Sequence, residues 1–337
     1  MRRCIDLARL GGVNVAPNPM VGAVIVVDDK IIGEGYHAVF GGPHAEVNAI
    51  NTVSDKSQLN KATLYVSLEP CSHHGKTPPC ADLIIQHQFK KVVIGCVDTF
   101  SKVCGSGISA IKASGIEVEL GVLEKECREL NKRFFTFHER KRPYVILKWA
   151  QSRDGYLDGP RVDGDVGIRW VSAPETRALV HKWRGEESSI LVGRKTVQND
   201  NPSLTVRDYS GQNPVRIIID SQAKLSEHLN VFSDDAKTII FNRMKDEQVG
   251  NIEWIKIQEL STELILSELY NRNILSVFVE GGSRTLQYFI FDNVWDEARV
   301  IVGNVLFGGG TKAPVLNRTP AYTVPFDSDM IYHYFRK

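Results

Sequence analysis

One histidine and two cysteines in this chain have the types and the spacing of zinc ligands. His44 precedes Glu46 by two residues, and Pro70 introduces Cys71, which eight residues separate from Cys80. An imidazole and two thiolates leave the fourth position of a tetrahedral zinc ion open for water, as catalytic zinc sites require. This His-x-Glu and Pro-Cys pattern is the signature of zinc deaminases, although their second half is usually Cys-x-x-Cys. The spacing therefore predicts one catalytic zinc ion per chain.

Glu46 is the predicted catalytic residue of this zinc site. Near the start of a helix, Glu46 and His44 reach the same pocket, so the carboxylate shuttles protons for the water without binding the metal. Two alternatives compete with this interpretation. In a closed structural zinc site His73 or His74 would supply a fourth ligand, but such a site has no use for Glu46. Without any metal, the histidine and the cysteines would be ordinary core residues.

Composition restricts the classes of partner. The chain has 337 residues, 42% hydrophobic and 24% charged, with a formal net charge of +1. This balance provides no electrostatic footprint for nucleic acid or an anionic membrane, so we expect neither as a partner. No apolar run approaches the length of a transmembrane helix, and the N-terminus is typical of an amphipathic helix and not of a signal peptide. Six scattered cysteines, two of them assigned to metal, predict reduced thiols in a cytoplasmic protein.

Strands alternate with helices around the zinc-ligand residues. A hairpin over 21–36 precedes a helix that begins near His44, and a strand over 62–68 leads into Cys71. Further helices are predicted over 80–87, 105–114 and 124–138. This alternation predicts a three-layer α/β/α fold with a mostly buried sheet.

A second α/β pattern follows a charged, proline-broken join at 139–143, which predicts two domains, 1–142 and 143–337. In this second half an apolar strand ends at the sequence Gly-Gly-Ser (281–283), which opens a helix. Small residues there let a ligand phosphate approach the free N–H groups of the helix start, and a plain tight turn is the alternative. No Gly-x-Gly-x-x-Gly or Walker sequence occurs, so neither a Rossmann dinucleotide site nor a P-loop is indicated.

These motifs resemble those of the bifunctional riboflavin-biosynthesis enzymes, in which a pyrimidine deaminase is fused to a 5-amino-6-(5-phosphoribosylamino)uracil reductase. The resemblance covers nearly the whole chain. In the first half it rests on the sequences PNPMVGA (17–23), GPHAE (42–46) and EPCSHHGKTPPC (69–80). In the second half it rests on the sequences DG (154–155), VG (192–193), NPSLTVR (201–207) and VEGG (279–282).

The resemblance implies a cytidine-deaminase-like first domain and a dihydrofolate-reductase-like α/β second domain that uses NADPH. Zinc-dependent hydrolytic deamination of a diamino-(phosphoribosylamino)pyrimidinone would come first. NADPH-dependent reduction of the resulting amino-(phosphoribosylamino)uracil to the ribitylamino product would follow. The resemblance also implies small-molecule substrates and a homo-oligomer, dimeric through the reductase domain.

For the first domain, the resemblance implies that Asn18 contacts the pyrimidine, with a turn residue between prolines as the alternative. His73 and Lys76 are the nearest cations for the substrate phosphate, and a solvated loop is their alternative.

For the second domain, the positions that match the family's substrate contacts are Ile168, Arg184, Leu204, Arg207 and Glu280. The two arginines suit a phosphate because a guanidinium binds one bidentately. Lys148 and Asp154 are the candidates for polarising the reacting carbon, and the sequence leaves the proton donor open.

The positions that match the family's cofactor contacts are Ala150, Trp170, Thr196, Asp200, Ser221, Gly282, Ser283, Arg284 and Thr285. Each has a structural alternative. Trp170 is also compatible with a core position, Thr196 with a helix cap and Ser221 with a turn.

Two rival functions share parts of this pattern. A nucleic-acid base deaminase would use the same zinc chemistry, but it would need a basic groove and aromatic stacking surfaces. A non-catalytic, zinc-stabilised binding module would have no need for the intact set of His44, Glu46, Cys71 and Cys80. We therefore expect the bifunctional enzyme.

Overall fold

The computed structural model describes residues 1–72, 78–99, 105–162 and 165–336. The chain divides into two compact units, residues 1–141 and 142–337. Each unit has a large sheet and a hydrophobic core of its own. Within the described ranges, no helix combines the length and the apolar character needed to cross a membrane.

The first unit contains one five-stranded sheet. Its strands are β1 (Gly22–Val27), β2 (Lys30–Tyr36), β3 (Thr63–Leu68), β4 (Lys91–Cys96) and β5 (Glu117–Leu120), arranged in the order β2-β1-β3-β4-β5. Its helices are α1 (Arg2–Arg9), α2 (Ala45–Thr52), α3 (Cys80–Gln86), α4 (Ser106–Ala113), α5 (Glu124–Leu130) and α6 (Lys132–Arg140). Short 3-10 turns cover Gly12–Val15 and Lys56–Lys61.

The two faces of this sheet carry different helices. Ile25 and its neighbours on one face pack against α2, α3 and α4 in the larger core cluster. Val24 points to the other face, because side chains alternate along a strand, and packs against Cys4 and Leu7 of α1. The predicted three-layer α/β/α arrangement is therefore confirmed.

The hairpin predicted over 21–36 is also confirmed. Strands β1 and β2 pair antiparallel, and Asp28 and Asp29 connect them with φ angles of 46° and 58°. Two consecutive left-handed residues are the mark of a type I′ turn, whose twist matches that of the flanking strands. By contrast, β3, β4 and β5 are parallel, so their carboxyl ends lie at one edge of the sheet.

The prediction of one helix over 124–138 is wrong, because the chain forms α5 and α6 with a break at Asn131. The Asn131 side chain is buried, and its Oδ1 accepts a hydrogen bond from the Met20 N–H at 2.8 Å. Its Nδ2 donates to the Met20 carbonyl oxygen, also at 2.8 Å. The asparagine amide thereby pairs with the backbone two residues after Asn18. The helix is interrupted at Asn131, and the two hydrogen bonds of its side chain hold the loop that carries Asn18.

The second unit contains a ten-stranded sheet and a small two-stranded one. Its strands are β6 (Tyr144–Gln151), β7 (Tyr156–Asp158), β8 (Ser189–Gly193), β9 (Val215–Ile219), β10 (Thr238–Asn242), β11 (Glu247–Val249), β12 (Ile252–Lys256), β13 (Ser276–Val279), β14 (Glu297–Val302), β15 (Thr311–Lys312), β16 (Tyr322–Phe326) and β17 (Asp329–Phe335). Its helices are α7 (Pro174–Gly185), α8 (Arg194–Asp200), α9 (Thr262–Asn271) and α10 (Ser283–Phe291), with a 3-10 turn at Asn230–Phe232.

The large sheet has the order β11-β12-β10-β9-β8-β13-β6-β14-β17-β16. Its central strands β12, β10, β9, β8, β13, β6 and β14 are parallel to one another. Helices α7 and α8 cover the face that carries Ile146, and α9 and α10 cover the face that carries Leu147. In such sheets ligands bind at the carboxyl ends of the strands. Predicted site residues of this unit follow the ends of β8, β9 and β13.

Candidate active sites

The three predicted zinc ligands converge in the first unit. The ligand atoms of His44, Cys71 and Cys80 all lie within 4.8 Å of one another. His44 Nδ1 is 3.3 Å from the Cys80 sulfur and 3.5 Å from the Cys71 sulfur. A zinc ion with bonds of ~2.0 Å to nitrogen and ~2.3 Å to sulfur separates tetrahedral ligand atoms by roughly 3.5 Å. These residues therefore fit zinc in both donor chemistry and spacing.

Helix starts and a strand end position these ligands. His44 is the N-cap of α2, Cys80 is the first residue of α3, and Cys71 follows the end of β3. The Cys80 N–H donates to the Cys71 sulfur at 3.3 Å, and the Ala81 N–H donates to the Cys71 carbonyl oxygen at 3.0 Å. The hydrogen bond between the two sulfurs lowers the pKa of Cys71 to about 4 and raises that of Cys80. A thiolate, which is the form that binds metal, is thereby favoured at Cys71.

Glu46 lies in the first turn of α2, directly beside the ligands. Its side chain is 3% exposed. Burial, and after it the nearby Cys71 sulfur, raises the pKa of the Glu46 carboxyl to about 7. A carboxyl group with such a pKa accepts and returns a proton near neutral pH. The position and chemistry of Glu46 suit the proton shuttle that the sequence predicts.

Asn18 has a partner that the sequence did not indicate. Its Nδ2 lies 3.1 Å from Nε2 of His37, and His37 Nδ1 lies 3.0 Å from the Pro43 carbonyl oxygen. The carbonyl accepts only, so Nδ1 carries the ring proton and Nε2 accepts from the Asn18 amide. The His37 ring also meets the His44 ring edge-on at 5.4 Å between centroids. His37 thus orients the Asn18 amide and leaves its oxygen available to a ligand.

Glu69 is a second residue that sequence reasoning missed. Its buried carboxylate accepts hydrogen bonds from the N–H groups of Asp98, Gly105, Gly107 and Ile108, at 3.0–3.3 Å. Two of these donors belong to the first turn of α4, where an anion offsets the unpaired N–H groups of a helix start. Glu69 therefore attaches α4 to the segment that carries the Cys71 ligand. The one sequence feature that could have identified Glu69 is its position directly before a Pro-Cys pair.

His73 and Lys76, which we predicted to contact the substrate phosphate, lie outside the described residues. Their role stays a prediction.

Several of the predicted cofactor positions of the second unit lie where β8 and β13 end. A side chain on Gly281 would lie 2.4 Å from the Val192 Cα, so the two backbones are in direct contact there. A Cβ on Gly282 would lie 3.2 Å from Thr196 Oγ1. Gly282 has φ 56° and ψ 139°, a conformation that side chains disfavour, and it is the N-cap of α10. Thr196, Gly282 and the start of α10 form one surface, as a pyrophosphate cradle requires.

Ser283, Arg284 and Thr285 form the first turn of α10 and share this surface. Thr285 Oγ1 would lie 2.7 Å from a Cβ on Gly193, so it closes against the end of β8. Arg284 is exposed, and its Nε donates to the Tyr288 hydroxyl at 3.0 Å. Ala150 is the second-last residue of β6 and pairs with Ile301 of β14.

Ser221 follows β9, which ends beside β8. The preceding carboxylate, Asp220, points inward and accepts from the Leu225 N–H at 2.9 Å. Arg194, which follows β8, brings its Nε to 3.8 Å from the Asp220 carboxylate. Asp220 is therefore turned away from solvent and accompanied by a cation, so its charge is no obstacle to an anion near Ser221.

Arg184, Glu280 and Lys148 form a buried charged cluster at the ends of the parallel strands. Arg184 donates from Nε and Nη2 to the two Glu280 oxygens, at 2.7 and 2.8 Å. Lys148 Nζ lies 3.8 Å from Glu280 Oε2. Burial opposes ionisation of Glu280, yet the charges of Arg184 and Lys148 lower its pKa to about 2. Burial also lowers the pKa of the Lys148 ammonium, which makes it a better proton donor than an exposed lysine.

Asp154 has a different environment. Its carboxylate is exposed and accepts hydrogen bonds from the N–H groups of Phe307 and Gly308, at 3.2 and 2.7 Å. Asp154 therefore links its own loop to the loop that contains Phe307 and Gly308.

Leu204 and Arg207 lie on the segment between α8 and β9. Leu204 is buried, with a left-handed φ of 55°. Arg207 is exposed, and its Nη1 donates to the Thr205 hydroxyl at 3.5 Å. Arg184 Nη1 donates to the Thr205 carbonyl oxygen at 3.3 Å, so the segment adjoins the charged cluster. The Arg207 guanidinium is on an exposed residue, whereas Arg184 directs its fork at Glu280.

Ile168 and Trp170 lie on the segment 165–170, and Arg161 links this segment to Asp200 by donating to the Gly167 carbonyl oxygen and to the Asp200 carboxylate. Ile168 and Trp170 are 42% and 49% exposed, which rules out a core role for Trp170. The Arg177 guanidinium carbon lies 4.2 Å from the centre of the Trp170 ring. Arg161 donates to Asp200 at 2.8 Å, and burial raises the pKa of Asp200 to about 6 despite that cation.

Comparisons with known proteins agree with this division into two sites. Residues 1–96 match the cytidine and deoxycytidylate deaminase zinc-binding region. Residues 143–322 match the RibD C-terminal domain, which makes up more than half of the chain. The first match covers His44, Glu46, Cys71 and Cys80, and the second covers the charged cluster and the predicted cofactor positions.

Relatives match over nearly the full length. The riboflavin biosynthesis protein RibD of Aquifex aeolicus is 38% identical over 92% of this chain and 87% of the relative. RibD of Bacillus amyloliquefaciens is 40% identical over 94% of this chain and 86% of the relative. A solved diaminohydroxyphosphoribosylaminopyrimidine deaminase/5-amino-6-(5-phosphoribosylamino)uracil reductase from Thermotoga maritima has a TM-score of 0.90 at 40% identity. It covers 99% of this chain and 96% of the solved one.

Proposed function

This chain belongs to the RibD family of riboflavin biosynthesis proteins, and on that premise we propose how its residues share the work of a bifunctional deaminase and reductase. The substrates we propose are those that the resemblance implies. A diamino-(phosphoribosylamino)pyrimidinone is deaminated in the first unit, and the resulting amino-(phosphoribosylamino)uracil is reduced in the second. The observation that carries the proposal is the convergence of His44, Cys71 and Cys80 beside the buried Glu46.

In the deaminase step, His44, Cys71 and Cys80 would hold a zinc ion, which would lower the pKa of a water molecule. Glu46 takes the proton of that water and delivers it to the departing amino group. Water oxygen replaces the ring amino nitrogen, and ammonia leaves, so the atoms balance. Asn18, oriented by His37, would bind the pyrimidine.

In the reductase step, the chemistry that bound NADPH would supply is a hydride for the C1′ carbon of the ribosyl group, and the ring oxygen of the opening sugar would take a proton. We assign Lys148 as the group that polarises this centre. It is buried and its pKa is lowered, and Glu280 and Arg184 fix its surroundings. Arg207 binds the substrate phosphate, because its guanidinium is exposed beside the cluster.

The NADPH pyrophosphate is assigned to the start of α10. Gly282 allows close approach of a phosphate, and the N–H groups of Ser283, Arg284 and Thr285 lie in the first turn of the helix. Thr196, Ala150, Ser221, Asp200 and Trp170 complete the proposed cofactor contacts. Arg194 approaches Asp220, the residue that precedes Ser221.

Product analysis with and without NADPH tests the assignment. Without NADPH, we expect the diaminopyrimidine substrate to release ammonia and to stop at the uracil intermediate. With NADPH, we expect one NADPH to be oxidised for each ribitylamino product. Ammonia release from single-stranded nucleic acid, or no NADPH oxidation in the presence of the intermediate, would contradict the proposal.

The two units are proposed to be the functional domains, and the chain is proposed to form a dimer through the second one in the cytoplasm. The described cysteines are all free thiols, as expected in a reducing compartment. Sedimentation equilibrium of the full chain and of residues 142–337 tests the dimer, because both should dimerise if the second unit carries the interface.

A further inference from the structure

The segment 201–208 of the second unit is held in a conformation that its residues do not favour. Asn201 and Leu204 have φ angles of 41° and 55°, in the left-handed region. Asparagine tolerates this region, but for leucine it is strained. Such strain persists only where the surroundings determine the backbone.

Side chains from outside the segment hold its backbone. The fully buried Arg216 donates from Nε to the Ser203 carbonyl oxygen at 2.9 Å. Asn213 accepts from the Val206 N–H at 2.9 Å through Oδ1. One further contact, to the backbone of Arg207, comes from helix α7.

That contact is made by His181, which is 4% exposed. Its Nδ1 accepts a hydrogen bond from the Arg207 N–H at 3.1 Å. The ring proton must then be on Nε2, which lies 3.4 Å from Asp208 Oδ2. The ionisable groups that face the ring are Arg184, Arg207, Asp208 and Glu280, and burial followed by the two arginines lowers the pKa of His181. The imidazole is therefore neutral and suited to accept at Nδ1.

We propose that His181 is a positioning residue of the reductase reaction, which fixes the Arg207 backbone so that the Arg207 guanidinium meets the substrate phosphate. The inference rests on the proposed function, in which Arg207 binds that phosphate. His181 does not touch the substrate.

Helix α7 supplies two anchors for this one segment. His181 and Arg184 are three residues apart, so they lie on the same face of the helix. Arg184 reaches the Thr205 carbonyl oxygen at 3.3 Å, and His181 reaches the Arg207 N–H at 3.1 Å. Arg207 itself is exposed, and a long exposed side chain gains affinity when its backbone is fixed before binding.

Two amide substitutions of His181 distinguish the hydrogen bond at Nδ1 of its ring from the contact at Nε2. In His181→Asn, the shorter amide places an oxygen near the position of Nδ1, so the hydrogen bond from the Arg207 N–H is retained. In His181→Gln, the longer amide reaches the position of Nε2 and leaves the Arg207 N–H without its acceptor. The two variants are of similar polarity, so each serves as the control for the other.

The readout is the reductase kinetics of each variant with the phosphorylated intermediate and with its dephosphorylated counterpart. We expect His181→Gln to raise KM for the phosphorylated substrate by roughly tenfold, as the loss of one buried hydrogen bond predicts. Its kcat, and its KM for the dephosphorylated substrate, should stay near wild type. His181→Asn should restore KM, and deamination should be unchanged in both variants.

A purely structural role for His181 would lower activity with both substrates alike, and that result would overturn the proposal. Equal KM values for His181→Gln and wild type would overturn it as well. The variant Arg207→Gln tests the underlying assignment. If it leaves KM for the phosphorylated substrate unchanged, the phosphate site is misplaced. If it raises KM while His181→Gln does not, only the role of His181 fails.

A measurement on the unaltered chain covers the case in which the variants do not fold. Imidazole nitrogen–proton correlation spectra of the full chain distinguish the two neutral tautomers. We expect the Nε2–H tautomer for His181, and an Nδ1–H tautomer or a charged ring at neutral pH would overturn the proposal.

Discussion

Arg184 and Glu280 form a two-point ion pair, with Nε and Nη2 donating to the two carboxylate oxygens at 2.7 and 2.8 Å. Arg184 lies in the last turn of α7 and Glu280 follows β13, so the pair joins a helix to the centre of the sheet. Both side chains are largely buried. The arginine fork is therefore committed to the protein, and it holds Glu280 charged beside Lys148.

This pair predicts an acid-sensitive second unit. The pKa of Glu280 is about 2 in the folded chain, below its ordinary value, so its stabilisation is present above about pH 4.3 and is lost as pH falls towards 2. Two pKa units correspond to about 3 kcal/mol. Denaturant unfolding of residues 142–337 should show this loss, and Glu280→Gln should lower stability at pH 7 while flattening the dependence below pH 4.

Zinc content is expected to depend on Cys80. In Cys80→Ser, one of three protein ligands is replaced by a hydroxyl that does not ionise near neutral pH, so zinc affinity should fall by on the order of tenfold or more. Metal analysis after dialysis measures this directly. The control is Cys127→Ser, a buried thiol outside the ligand set. Full zinc occupancy in Cys80→Ser would show that Cys80 is not a zinc ligand.

Deamination is expected to depend on Glu46, whereas zinc binding is not. Glu46→Gln retains the shape but no longer accepts a proton, so deaminase kcat should fall by roughly 100-fold or more. Zinc content should stay at one per chain, and NADPH oxidation with the uracil intermediate should be unaffected. Deaminase turnover close to wild type would contradict the assignment.

The two units are expected to function apart. We expect residues 1–142 to fold, bind zinc and deaminate, because the first unit has its own sheet and core. Arg142 donates to both oxygens of Asp296, at 2.6 and 2.7 Å, so it contributes to the second unit. A fragment 142–337 should therefore be more stable than 143–337 by on the order of 3 kcal/mol, the cost of removing one partner of a buried ion pair. Urea unfolding of the two fragments measures the difference, and equal stability would show that the pair is unimportant.

NADPH binding is expected to depend on Gly282. A valine there would approach Thr196 and would have to adopt a φ of 56°, so Gly282→Val should crowd the pyrophosphate site. We expect KM for NADPH to rise by roughly tenfold or more while deamination is unchanged. Thermal unfolding identifies any general loss of structure. An unchanged KM, or equal efficiency with NADH, would place the cofactor elsewhere.

Residue types and spacing alone predicted the zinc-ligand set, the candidate proton shuttle and the alternation of strands with helices. His44, Glu46, Cys71 and Cys80 are recognisable because metal and proton chemistry accept few side chains, and their short spacings survive in any fold. The hairpin turn at Asp28 and the helix start after Gly282 are likewise local, since they depend on backbone preferences of neighbouring residues.

Only the tertiary structure decided which polar groups pair across long sequence distances. Asn131 breaks a predicted helix to hold Met20, 111 residues away. Arg184 pairs with Glu280 across 96 residues. Of the two arginines predicted to contact the substrate, Arg207 is therefore the exposed one. These pairings have no local pattern, because a buried donor or acceptor must be satisfied by whichever group the packing brings within hydrogen-bonding distance. The sequence shows which polar groups need hydrogen-bond partners, and the tertiary structure determines which groups become those partners.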